Sequence, residues 1–283
     1  MPHNEERPEH FLAHGWMRLR AVFSANEAAA MREAVWRTLA TVGISDRDPS
    51  SWTVERPGHL QNVRSDPVFR AVGSARLLEA IDAALAGQAY ATPKNWGSAF
   101  VAFPSTQAWS VPSDGWHIDA NYLSALSPPD GIRIHALFGD VAPRAGGTLI
   151  VSGSHRLVHK YFADNPPPAG ARGADYRKRL QRHAYIRDLH GAGAPSARVT
   201  RFLERIEEHD GIALQVVENH GMAGDVMLLH PLLLHVATSN AGHQPRFLLS
   251  GGIDLPSMWS TGARPETRVA RAWEGPHYDR LGE

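Results

Sequence analysis

From residue 98 to residue 254 the chain is a succession of short apolar runs punctuated by Gly, Pro, Asp and Asn: "SAFVAFP", "WHIDANYL", "IRIHALFGDV", "GGTLIVSG", "IALQVVENHG", "DVMLLHPLLLHVAT" and "RFLLSGGID". Runs of this length, bounded by turn-forming residues, predict β-strands. In "IRIHALF" the alternation places Ile132, Ile134, Ala136 and Phe138 on one face and Arg133 and His135 on the other. Two helices are predicted ahead of the strands. One covers residues 24 to 42 and opens on a capping box, Ser24 with Glu27 three residues on. The other runs through "SARLLEAIDAALAG", capped by Ser74 and stopped at Gly87. Many short strands after a helical start predict a mainly β fold with flanking helices, a sandwich or barrel of the jelly-roll kind. The reading is a single domain over residues 1–283, with a helical part over 11–95 and a β core over 96–255.

A segment at about 160–205 breaks the rhythm. It is helical in places, broken by Pro and Gly elsewhere, and too long for a hairpin loop, as lids and binding loops often are. It carries ten Lys or Arg against four Asp or Glu, an excess of six that would suit an anionic substrate or a solvated helix face. Over the whole chain Lys+Arg and Asp+Glu are both 29, so no bulk field exists to hold nucleic acid or an acidic membrane surface. No apolar run approaches the roughly 18 to 20 residues that cross a bilayer. The first 20 residues lack the apolar core of a signal peptide, which predicts a cytoplasmic protein. The chain has no Cys, which excludes disulfides, thiolate nucleophiles and Cys-based metal sites; a metal here must be held by His, Asp or Glu.

His117 and Asp119 stand two apart in "DGWHIDANYL", so on a strand both side chains face the same way and can converge on one ion. The spacing alone is weak, because 16 His in the chain make on the order of one such pair by chance, and a second occurs at His277 and Asp279. That later pair has no strand after it to supply a third ligand, whereas His117 is followed by the whole series. The third ligand is expected in "GDVMLLHPLLLHVATSNAGHQPRFLLSGG", where His235 and Arg246 lie almost symmetrically about the turn at Asn240 and Ala241 and are predicted to meet across a hairpin. His230 would also complete a His-Asp-His set, but it spoils the eleven-residue spacing to Arg246. A buried Arg beside a metal calls for an anion, and a carboxylate that accepts two parallel hydrogen bonds suits it. Two His and one carboxylate with open positions form the ligand set of non-haem Fe(II) oxygenases.

At this point the chain resembles the phytanoyl-CoA dioxygenase family of Fe(II)- and 2-oxoglutarate-dependent oxygenases. The residues that carry the resemblance are His117-x-Asp119, His235 and Arg246, together with the opening "FLAHGWMRLRAVFSANEAAAMREAV" and the Gly-rich "GGTLIVSGSH". The resemblance implies a double-stranded β-helix in which His117, Asp119 and His235 bind Fe(II), Arg246 pairs with the distal carboxylate of 2-oxoglutarate, and O2 is consumed. Relatives often carry a Trp sixteen residues after the Asp ligand and a Ser two residues after the distal His. Here those places hold His135 and Ala237, with Thr238 next, so His135 and Thr238 are the co-substrate contacts the resemblance offers. Halogenating relatives lack the carboxylate, so Asp119 implies hydroxylation or another oxidation of a small molecule, natural-product intermediates among them. Of the remaining polar and aromatic residues, His155 and His220 read as structural, and Trp109, Trp116 and Tyr122 as packing or pocket lining.

Two other readings stay open on the residues alone. One is a metal-dependent cupin-like isomerase or hydrolase that does not use 2-oxoglutarate and needs no Arg beside the metal. The other is a jelly-roll binding module that keeps the ligands without catalysis. The sequence is silent on oligomeric state and on the prime substrate.

Overall fold

A computed structural model describes residues 4–85, 89–119, 131–166, 168 and 173–255. Helix α1 (Pro8–His14) ends at Gly15, whose positive φ of 79° lets its N–H close on the Phe11 carbonyl at 2.8 Å. Strand β1 (Trp16–Leu19) follows, then α2 (Ala25–Ala40), which opens on the expected capping box: Glu27 N donates to Ser24 Oγ, and Ser24 N to the Glu27 carboxylate. Ser74 likewise caps α3 (Ala75–Ala84); the predicted stop, Gly87, lies outside the described residues.

The remaining strands are β2 (Ser98–Ala102), β3 (Gly131–Leu137), β4 (Thr148–Ser152), β5 (Glu207–His209), β6 (Ile212–Asn219), β7 (Val226–Leu229), β8 (His235–Val236) and β9 (Arg246–Asp254). They form two antiparallel sheets, one in the order β1-β7-β3-β9-β2 and one in the order β5-β6-β4-β8. The sheets face each other as in a jelly roll, and Trp16, Ile150, Met227, Leu229 and Leu233 fill part of the space between them.

The alternation read in β3 decides which side chains enter that space. Ile132, Ile134, Ala136 and Phe138 pack outward against α2, α3 and the turns beside them, in one core that also holds Phe11, Met31 and Leu77. Arg133 and His135 are therefore turned into the barrel. Burial of these apolar faces, at roughly 25 cal/mol per Å2, is what fixes the strand registers, because a slip of one residue would exchange the two faces.

The insertion forms helices α4 (Ser154–Asp164), α5 (Gly173–Leu180), α6 (Ala184–Leu189) and α7 (Pro195–Arg198), the last continuing into a π-helical turn at Val199–Leu203. Leu157, Phe162, Tyr185 and Phe202 pack on the outer face of the four-stranded sheet with Leu149, Val151 and Leu214. Part of its positive charge is structural. All five N–H donors of the buried Arg198 point at backbone carbonyls, those of Val111, Pro112, Asp188, Leu189 and Gly191, and Arg201 pairs with Asp188 and Glu207.

Two expectations need correction, and one strand was not foreseen. The run at 225–238 is two strands in different sheets: Pro231, which has no N–H to offer a ladder, sits in a turn closed by Leu233 N on the His230 carbonyl. The run "WHIDANYL" contributes a single bridge at His117 among the described residues, and residues 120–123 lie outside them. Strand β1 was not expected, since "WMRL" does not alternate; all four residues are buried where it covers the β7 edge. His277 and Asp279 lie outside the described residues. Among the described residues no helix is long and apolar enough to cross a membrane.

Candidate metal centre

His117 and His235 face each other in an isolated antiparallel bridge, each donating its amide to the other's carbonyl at 3.1 and 2.9 Å. The bridge brings the two imidazoles together, centroids 4.2 Å apart and planes tilted by 51°. Asp119, two residues on from His117, reaches the same point. Its Oδ1 lies 3.9 Å from His117 Nε2 and 3.6 Å from His235 Nε2, and one ligand atom from each of the three residues falls within 4.8 Å of the others.

The second nitrogen of each ring fixes which atom is available. His117 Nδ1 lies 2.8 Å from the Gly115 carbonyl and His235 Nδ1 lies 3.0 Å from the Leu233 carbonyl. A carbonyl accepts only, so each Nδ1 carries a proton, and in the neutral ring the lone pair is then on Nε2, facing the common point. Burial pushes the His235 imidazole below its ordinary pKa, against the pull of Asp119, which keeps that lone pair available. Two donors about 2.0–2.2 Å from one ion at right angles stand ~3 Å apart, so small side-chain rotations bring these atoms to coordination distance. Exposure shows the open side: the His117 and Asp119 side chains are 46% and 30% exposed, the His235 side chain 8%.

Arg246 enters the barrel from the first position of β9, on the same strand face as Leu248. It is buried; its Nε donates to the Gly146 carbonyl at 2.9 Å, and its Nη1 has no hydrogen-bond partner among the described residues. Burial, with a smaller contribution from Arg56, pushes the guanidinium down to about 10. A buried cation with an unused donor fits an absent carboxylate. The hairpin expected to join His235 to Arg246 does not form. Their strands belong to different sheets, and Asn240 ties the crossing by donating to the Ala102 and Gln244 carbonyls.

His135 sits between these parts. It is fully buried on the inner face of β3, its ring centroid 5.8 Å from that of His235, and its Nδ1 has no partner among the described residues. Burial first, then the charges of His235, Arg246 and His117, holds it neutral. Thr238 is buried, its hydroxyl donating to the Gly147 carbonyl at 2.8 Å, next in the chain to the carbonyl that holds Arg246.

The fit extends to the sequence as a whole. A model of the family "Phytanoyl-CoA dioxygenase (PhyH)" matches residues 11–248. The chain belongs to the phytanoyl-CoA dioxygenase family. Members of the phytanoyl-CoA dioxygenase family are oxygenases that use Fe(II), 2-oxoglutarate and O2, and this chain is a 2-oxoglutarate-dependent oxygenase. Its fold is similar to that of HygX from Streptomyces hygroscopicus, solved with nickel and 2-oxoglutarate bound: 17% identity, 89% of this chain and 87% of that chain covered, TM-score 0.52. HygX with nickel, 2-oxoglutarate and hygromycin B bound gives 17%, 89% and 88%, and 0.51. AviO1 from Streptomyces viridochromogenes Tue57 gives 17%, 88% and 94%, and 0.50. No curated protein matches the sequence.

The other residues singled out fall outside the triad. His230 and His155 pack against each other, centroids 5.0 Å apart, with His155 Nε2 3.3 Å from the Leu12 carbonyl. Trp116 is buried and donates to Pro112, and Trp109 lies under the Arg144 guanidinium; Tyr122 lies outside the described residues. Missed from sequence was Arg133, whose Nε lies 4.0 Å from Asp119 Oδ2. Its inward parity two residues before His135 was the available signal.

Proposed function

We propose that this oxygenase is a dioxygenase that hydroxylates or otherwise oxidises a small molecule, with His117, Asp119 and His235 holding Fe(II) and Arg246 holding the distal carboxylate of 2-oxoglutarate. The observation that carries it is the pairing of a convergent His-Asp-His triad with a buried guanidinium whose Nη1 has no partner among the described residues. Fe(II), 2-oxoglutarate and O2 together supply the oxidising power that breaks a substrate C–H bond. The chain supplies placement. The carbonyls of Gly115 and Leu233 orient the two imidazoles, and Asp119 contributes the single charged ligand.

Neutral His135, with an unpartnered nitrogen in the same chamber, is placed to hydrogen-bond the co-substrate. Thr238 has its hydroxyl proton on Gly147, so we assign it to bracing the anchor, with only its lone pairs facing elsewhere. A substrate enters from the exposed side of His117 and Asp119; we place it among small molecules, natural-product intermediates included. The N-terminal helices share one core with the five-stranded sheet, which supports a single domain with the 160–205 insertion as an outer wall of the four-stranded sheet. A metal-dependent isomerase that ignores 2-oxoglutarate would have no use for a buried, half-partnered Arg246.

The test is incubation of purified protein with Fe(II), ascorbate and 2-oxoglutarate. Succinate should form slowly without prime substrate and should fall to background with Asp119→Ala. Succinate formation that persists in that variant would remove the triad from the reaction.

A further inference from the structure

Arg246 has no carboxylate partner among the described residues, yet a buried carboxyl group stands one peptide group away. Arg246 Nε donates to the Gly146 carbonyl, and the other side of that same peptide unit is the Gly147 N–H, at a residue packed directly against the carboxyl group of Glu218. In a trans peptide the C=O and N–H point in opposite directions, so this unit lies between the Glu218 carboxyl and the Arg246 guanidinium.

The surroundings are built around the carboxylate. Glu218 is on β6 at the parity of Ile212, Leu214 and Val216, a position where a charge is out of place, and it is buried. Arg144 N donates to both of its carboxylate oxygens at 2.9 Å, and Arg144 itself adopts the left-handed φ of 66°. A Cβ on Gly147 would stand 2.7 Å from the Asn219 carbonyl oxygen, 2.8 Å from Glu218 Cγ and 2.9 Å from Oε1, so glycine there permits the close approach of both the β6 backbone and the carboxyl group. Burial pushes the Glu218 carboxyl up to about 7, while the two amides pull the other way.

We propose that Glu218 is a positioning residue for co-substrate binding: through the Gly146–Gly147 peptide it holds the Arg246 guanidinium at the angle that turns Nη1 toward the site, without touching metal or co-substrate. This rests on the reading of Arg246 given above. Thr238, on the Gly147 carbonyl, holds the same turn from the side of the four-stranded sheet.

The test is Glu218→Gln, which keeps the volume but removes the charge and leaves one acceptor oxygen where the carboxylate offers two. Calorimetric titration of the Ni(II)-loaded protein with 2-oxoglutarate at pH 8, where the Glu218 carboxyl is ionised, should show Kd raised about ten-fold, the loss of one hydrogen bond to a charged group. Titration with Ni(II) alone should give a metal Kd within about two-fold of the parent protein, since no ligand of the triad has moved. Glu218→Asp, which keeps the acid but draws it back by one methylene from the turn, should produce the same split and serves if the Gln variant does not fold. An unchanged 2-oxoglutarate Kd, or equal weakening of Ni(II) and 2-oxoglutarate, would overturn the proposal. Arg246→Met separates the two levels. If it leaves 2-oxoglutarate affinity intact, the anchor reading itself fails; if it destroys affinity while Glu218→Gln does not, only the positioning role falls.

Discussion

Replacing Arg246 by Met should have opposite effects on the free and the liganded protein. In the free protein the guanidinium is a buried charge pushed from 12.5 to about 10, which at 1.36 kcal/mol per pH unit corresponds to about 3 kcal/mol of unfavourable burial. Met relieves that cost at similar volume, and it leaves the Gly146 carbonyl without its donor, a loss of about 1–3 kcal/mol. The free variant should therefore be as stable as the parent or more stable by about 1–2 kcal/mol. With co-substrate the balance reverses. Two charge-assisted hydrogen bonds to a carboxylate contribute about 1.5–3 kcal/mol each, so their removal should raise Kd by roughly 10^2- to 10^4-fold. The assay is urea unfolding of Ni(II)-loaded protein with and without 2-oxoglutarate at 100 times the parent Kd. The parent should gain about 2.7 kcal/mol, and the variant almost nothing. An equal ligand-induced gain in both proteins, or a free variant several kcal/mol less stable than the parent, would refute this reasoning.

Other consequences follow from the same geometry. Asp119→Ala should weaken metal binding by more than about 100-fold while leaving the fold intact, as read by calorimetry with Ni(II) and by circular dichroism. Arg198→Lys keeps the charge but can satisfy at most three of five carbonyls, and should cost about 3–5 kcal/mol in urea unfolding; a loss under 1 kcal/mol would show that the insertion is held by apolar packing alone. Burial lowers His10 to about 4 and His155 well below its ordinary value, so these histidines bind fewer protons in the folded state than in the unfolded chain once pH falls below about 6.5, a loss that outweighs the one proton the raised Glu218 carboxyl retains. Stability should thus decline from pH 6.5 towards pH 4, with a urea midpoint at pH 5 below that at pH 7.5; a flat profile contradicts the buried neutral histidines.

How much of this was legible in the sequence varies from residue to residue. His117 and Asp119 were legible because spacing by two on extended backbone places both side chains on one face, and alternation in β3 correctly sent Arg133 and His135 into the barrel. His235 and Arg246 were legible as residues but not as geometry. Their approach comes from closing two sheets over each other, which no local turn signal encodes. Strand β1 was hidden because its four residues are all buried and show no period of two. The division of 225–238 could have been read from Pro231, whose missing N–H argues against a continuous strand. Glu218 was overlooked although a carboxylate at an otherwise apolar parity in "IALQVVEN" asks what holds it. The amides that do so belong to a turn some seventy residues earlier, beyond the reach of any window on the sequence.

The central claim is that three side chains from two distant segments share one ion beside a waiting guanidinium. A crystal structure with Ni(II) and 2-oxoglutarate tests it most directly. The account predicts an anomalous peak ~2.0–2.2 Å from His117 Nε2, an Asp119 oxygen and His235 Nε2, with the distal carboxylate of 2-oxoglutarate against Arg246. A metal bound elsewhere, or a co-substrate whose far carboxylate avoids Arg246, would contradict it.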